Sequence, residues 1–324
     1  MKPSIILLSV CILLFSCKEN TTKNSGRLNF NPQNIQKRLK EYDKFLNGKT
    51  FNINDYRNLL DTIDKNDPVS IPLAVKFIKI GLKTDVNQHD YVLAKLEELF
   101  YKITSNFEQF ITYEKVGIYN LIQEKYDKPT LEIKSFLKSL NLCGINLYWD
   151  TGEFYLDQAS SYFFKNFKGY GSKAYDVFLL NRKQELTEQF SNDAAMLISW
   201  QELWRRVKSW EDFITKYPNF IHFDICKVKY NEYLSTLLTG LDNTPVFDYN
   251  YDDNQDSSQV NKLSQEVKSL YEKIIEENES RNSTVVISKY YEYLKSNNFI
   301  INDETYKFIE KMNLTPMNGT EPTN

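Results

Sequence analysis

The feature that most constrains this chain is a near-unbroken succession of apolar residues spaced by three and four. Leu93, Leu96, Phe100, Ile103, Phe107 and Phe110 form one such stripe. Trp200, Leu203, Val207, Trp210, Ile214 and Tyr217 form another, and Val260, Leu263, Val267, Leu270 and Ile274 a third. That spacing puts apolar side chains on one face of a helix and fits no strand. Local punctuation agrees. Asn31-Pro32 is a cap followed by proline at the first helical position, and Gly48 closes that helix. Helices are further expected from Ser70-Ile71-Pro72, from Thr130 with the face Ile133, Phe136, Leu137 and Leu140, from Ser283 through Tyr290, Tyr291 and Leu294, and from Asp303-Glu304. Glycine and proline are scarce, at 10 and 9, which argues against a turn-rich β fold. The expectation is an all-α protein of about a dozen helices, an irregular helical array or α-solenoid-like stack. No fixed repeat period supports it.

One segment departs from that pattern. Residues 144–157 read as a small β-hairpin, with Gly144 to Trp149 as one arm, Asp150-Thr151-Gly152 as the turn and Glu153 to Asp157 as the other. A lone hairpin is marginal in water and must lean on helices.

The N-terminus carries an address. Lys2 precedes an apolar run, Ile5 to Phe15, broken only by Ser9. As a helix this run would rise roughly 16 Å, too short for a permanent span. One positive charge ahead of a short apolar run is the pattern of a cleaved secretory signal. Leu14-Phe15-Ser16-Cys17 resembles the lipobox of bacterial lipoproteins, in which a small residue precedes a cysteine that receives a diacylglycerol and becomes the new N-terminus. The resemblance implies a signal peptide over residues 1–16, lipidation of Cys17 and anchoring in the envelope of a Gram-negative cell. Lys18 in place of Asp implies the outer membrane, with the periplasmic and surface faces both open. It carries no activity with it.

Removing residues 1–16 from 324 leaves 308, enough for one large or two small domains. Residues 17–31 are polar and aperiodic and read as a flexible tether reaching roughly 45 Å. Residues 32–314 form the helical body, with a candidate internal boundary near 127–130, and 315–324 read as a disordered tail. Beyond the leader's Lys2, 39 basic residues face 43 acidic ones, so neither nucleic acid nor another polyanion is an expected partner. The expected partners are the membrane, through the lipid, and another envelope protein.

Chemistry is thinly marked. There are two histidines, His89 and His222, and no paired-histidine zinc motif, phosphate loop or dinucleotide fingerprint, so no cofactor is expected. Asp150, Glu153 and Asp157 beside Trp149 read first as a plain turn, and they also have the residue types of a glycan hydrolase or a glycan- or peptide-binding site. Asp248, Asn250 and Asp252 match positions 1, 3 and 5 of a calcium loop, but Asp253 stands where glycine is needed and Gln259 where the final glutamate is. The other reading is a solvated loop that caps a helix after Asp256. Trp200 and Trp204 share a helix face and read first as packing, and Arg205 and Arg206 read as a solvated edge. Cys143 and Cys226 are either a bridge or two buried apolar residues. The functional expectation is a lipid-anchored interaction or scaffold module. The alternative is an envelope hydrolase or glycan-binding protein built on the hairpin.

Overall fold

The computed structural model describes residues 30–114, 120, 122, 128–150, 153–248, 261–312 and 314. It is mostly helical with small antiparallel strand pairs, as the spacing predicts. The chain divides into two compact units with the boundary between Thr187 and Glu188, so the candidate boundary near 127–130 falls inside the first unit.

The first unit contains α1 (Pro32–Leu46), α2 (Ile53–Thr62), α3 (Ser70–Lys76), α4 (His89–Gln109), α5 (Leu131–Leu142), α6 (Tyr162–Phe167) and α7 (Lys173–Thr187). The expected caps are in place. The Asn31 side chain accepts from Asn34 N at 3.0 Å, and Thr130 Oγ1 accepts from Ile133 N at 3.3 Å. The stripe on α4 is buried along its length, with Leu93, Leu96, Phe100, Ile103 and Phe107 all closed to solvent. α3 runs into a π-helical turn, Phe77–Gly81, which lays the Phe77 ring on Phe51 and Tyr56 at centroid distances of 4.6 and 6.2 Å. The buried Tyr56 hydroxyl donates to Val92 O at 3.0 Å, so this aromatic cluster leaves no polar orphan at that ring.

Between α5 and α6 the chain makes the expected hairpin, β1 (Ile145–Asp150) and β2 (Glu153–Gln158). Gly144 opens it at φ +78, and a Cβ there would sit 2.4 Å from the Tyr162 ring. Only glycine meets both conditions. On β2, Phe154, Leu156 and Gln158 are buried while Glu153, Tyr155 and Asp157 face outward.

The second unit contains β3 (Ser191–Asn192), β4 (Ala195–Met196), α8 (Trp200–Lys216), α9 (Phe223–Thr239), β5 (Gly240–Leu241), β6 (Thr244–Pro245), β7 (Phe247–Asp248), β8 (Lys262–Leu263), α10 (Gln265–Glu277), α11 (Asn282–Ser296) and α12 (Asp303–Lys311). The spacing predicts one hairpin, and the described residues hold four two-stranded pairs, three of them in this unit. The extra pairs are two residues long per strand, below the length at which alternation becomes visible. The third stripe is also shorter than its spacing suggests. Leu263 belongs to β8 opposite Phe247, and Ser264 caps α10 by accepting from Val267 N at 3.4 Å. The cap expected after Asp256 falls on residues outside those described.

β3–β4 turns through Asp193 and Ala194, both left-handed at φ 49 and 52 although neither is glycine. The β5–β6 turn holds them there. Asn243 N donates to Ala194 O at 3.0 Å, Asn243 Nδ2 to Asp193 O at 2.5 Å, and Met196 N to Thr244 Oγ1 at 2.9 Å.

Candidate functional site

In the first unit, α4 and α7 are joined by a ladder of polar rungs. His89 Nδ1 lies 2.6 Å from Tyr170 O, with the two rings stacked at 4.2 Å. The Asp90 carboxylate accepts from both Ser172 N and Ser172 Oγ at 2.7 Å, and Ser172 Oγ accepts in turn from Tyr175 N at 3.2 Å, capping α7. Tyr175 Oη donates to Glu97 Oε1 at 2.8 Å. Arg182 Nη2 donates to Tyr101 Oη at 3.0 Å, and Arg182 Nη1 lies 3.6 Å from Glu185 Oε2. Residue numbers on both sides rise together, so the two segments run in the same direction.

Burial pushes the Glu97 carboxyl up to about 7, against the opposing pulls of the Tyr175 hydrogen bond and the Arg182 charge. Burial would lower the Arg182 guanidinium, but Tyr101, Glu185, Asp157 and Glu97 more than offset it, so the net shift is upward. Arg182 is therefore a fixed cation. Its electrostatic neighbours include Asp157 of the hairpin, which brings one expected site residue to this corner.

The hairpin is held by its edge as well as its face. Leu156 N donates to Glu108 Oε2 of α4 at 2.7 Å, satisfying a backbone donor at the free edge of β2. On the outward face the register pairs Asn146 with Asp157, Tyr148 with Tyr155, and position 150 with Glu153. The Tyr148 and Tyr155 rings stack at 5.5 Å with 21° between planes. Tyr148 Oη donates to Gln158 O at 2.9 Å, and Asp157 Oδ1 accepts from Gln158 N at 2.6 Å. Tyr101, 46% exposed, borders the Arg182 corner. The side chains of Trp149 and Asp150 lie outside those described. Glu153 is exposed. The two catalytic candidates, Asp150 and Glu153, are direct partners in the register, and Asp157 lies four residues further along β2.

Other expected sites resolve differently. Asp248 lies in β7 and pairs with Lys262, while Asn250 and Asp252 fall outside the described residues, and so does Cys17. Among the described residues no group of histidine, cysteine and carboxylate side chains could hold a metal ion, and no helix is long and apolar enough to cross a membrane. Cys143 and Cys226 are buried thiols not bridged to each other, and burial pushes the Cys143 thiol well up. His222 stands at the start of α9 against the Phe220 ring at 5.8 Å. Trp200, Trp204 and Trp210 are buried in the core of the second unit and offer no stacking surface.

Arg206 corrects the reading of a solvated edge. It is 2% exposed, with Nε donating to Glu202 Oε1 at 3.0 Å and Nη2 donating to Glu188 O at 2.8 Å. Arg205 does stay in solvent, paired with the same Glu202 at 2.6 Å. Residues 205 and 206 differ by about 100° around the helix, which turns one outward and one inward.

α9 is apolar on both sides. Cys226, Tyr230, Tyr233, Leu234 and Leu237 are buried. On the opposite side Ile225 and Val228 are 53% and 63% exposed, with Ile221 just ahead of the helix at 47%. Ile225 and Val228, three apart, share one outward side of the helix, and Ile221 is exposed in the turn that precedes it.

Compared with known proteins, the chain matches no family model, no curated protein sequence and no solved structure.

Proposed function

We propose that the chain is a lipid-anchored lipoprotein of the bacterial envelope, held at the outer membrane by Cys17, whose helical body works by contact with a protein partner. The anchor rests on the leader and on the residues around Cys17. The contact reading rests on exposed Ile221, Ile225 and Val228, a set of aliphatic side chains that folding of the second unit leaves in water. Turnover by Asp150 and Glu153, which the register pairs across the hairpin, is the second reading.

A photo-reactive residue placed at 225 in intact cells tests the contact. A discrete protein adduct is expected there and none from exposed Glu276 on α10. Cys17→Ala should move the protein to the soluble fraction and abolish the adduct. An anchored protein that gives no adduct at 225 would sink the contact reading, and a Cys17→Ala protein still on the membrane would sink the anchor.

A further inference from the structure

The outward face of the hairpin is built as a strip. At one end stand the Asn146 amide and the Asp157 carboxylate, in the middle the stacked rings of Tyr148 and Tyr155, and at the other end Glu153. The strip is about 13 Å long, from the rise per strand residue. An aromatic platform bracketed by hydrogen-bonding groups has the layout that pyranose rings need. The two rings stack on each other, so the apolar face of a sugar would lie on the outer face of the pair, with its hydroxyls toward the polar groups on either side.

The charges select among occupants. Arg182, which donates to Tyr101 at 3.0 Å, lies within electrostatic reach of Asp157, so that end of the strip carries both a fixed cation and a carboxylate. A hydroxyl group donates and accepts, and can satisfy both at once. A basic peptide would meet Arg182, and an anionic sugar would meet Asp157 and Glu153. An added β-strand would need the edge of β2, where Glu108 already takes the Leu156 N–H.

We propose that the outward face of β1–β2, with Tyr101 and Arg182 at its corner, binds a neutral oligosaccharide, its rings on Tyr148 and Tyr155 and its hydroxyls on Asn146, Asp157 and Arg182. This goes beyond the contact reading of α9. The hairpin and the Ile225 row lie in different units, and either can fail alone.

The test uses the full mature chain in detergent and calorimetric titration with four neutral hexasaccharides: a β-1,4-glucan, an α-1,4-glucan, a β-1,4-mannan and a chitin oligomer. A polygalacturonate oligomer serves as the anionic comparison. At least one neutral hexasaccharide should bind, and the polygalacturonate should bind more weakly. Tyr155→Ala should weaken binding about tenfold, the loss of one stacking partner. Tyr155→Phe, which keeps the ring, should retain most of it. Tyr148→Ala also removes the bond to Gln158 O, so Tyr155 is the deciding position, with an unchanged circular dichroism spectrum as the check on folding. Ile225→Asp should leave binding untouched. No heat with any neutral sugar up to about 5 mM, full-strength binding by a folded Tyr155→Ala protein, or tighter binding of the polygalacturonate would each overturn the proposal.

Discussion

Tyr175 donates its hydroxyl to the Glu97 carboxylate at 2.8 Å across the seam between α4 and α7. The bond sets a buried acid against a phenol whose own ionisation burial pushes far upward, so the phenol remains a donor throughout the ordinary pH range. The titrating member is Glu97, raised from 4.5 to about 7. A carboxyl raised on folding stabilises the folded state while it is protonated. That contribution is fully present below about 4.5 and is lost as pH rises through about 7. Melting the wild type and Glu97→Gln between pH 5 and 8 should show about 2–3 kcal/mol of wild-type stability lost across the window. The variant should show a flatter profile. A wild type that gains stability from pH 5 to 8 relative to Glu97→Gln would contradict the assignment.

Arg206 and Arg205 should respond very differently to alanine. Arg206→Ala removes a buried cation and frees the Glu188 carbonyl while Glu202, partly exposed, keeps Arg205, at a cost of about 2 kcal/mol. Arg205→Ala breaks an exposed i,i+3 pair worth about 0.5 kcal/mol. Urea unfolding of the two variants separates them, and equal effects would mean that Arg206 is not closed to solvent.

Gly144 fixes the entry to the hairpin. Gly144→Ala places a methyl group against the Tyr162 ring at a backbone angle that L residues avoid. The expected loss is about 3 kcal/mol, more than the roughly 1–2 kcal/mol that a left-handed angle alone costs. Pairing it with Tyr162→Ala should recover the part due to collision. Losses that simply add in the cycle of Gly144→Ala, Tyr162→Ala and the double variant would assign the whole Gly144→Ala loss to backbone strain.

Glu108 guards the edge of β2. Glu108→Ala should cost about 1–3 kcal/mol by leaving the Leu156 N–H without its acceptor, and should speed amide exchange at Leu156 first. Unchanged exchange at that amide would mean that Glu108 does not close the strand.

Much of the architecture is readable from spacing. The α4 stripe is buried as its periodicity requires, and the caps at Asn31 and Thr130 and the hairpin after Gly144 stand where their residue types put them. What escapes has physical reasons. Leu263 falls on helical spacing by coincidence, and its pairing with Phe247 depends on a residue sixteen positions earlier in the chain. Glu97 and Tyr175 lie 78 residues apart, so no local pattern links them, and nothing near Arg182 announces Tyr101. Arg206 escapes because adjacent arginines look solvated, although Arg206 falls i+4 from Glu202 and i+3 from Leu203 on the buried side. The outward row on α9 is open to a search for one helix carrying two apolar faces.

The Asp193–Ala194 bend and the Asn243 side that braces it are separated by some fifty residues, yet each keeps its shape against the other. In a chain that emerges N-terminus first, the groups that brace this bend arrive only with the stretch through Thr244, so its hydrogen bonds can close only once the whole α8–α9 segment is present.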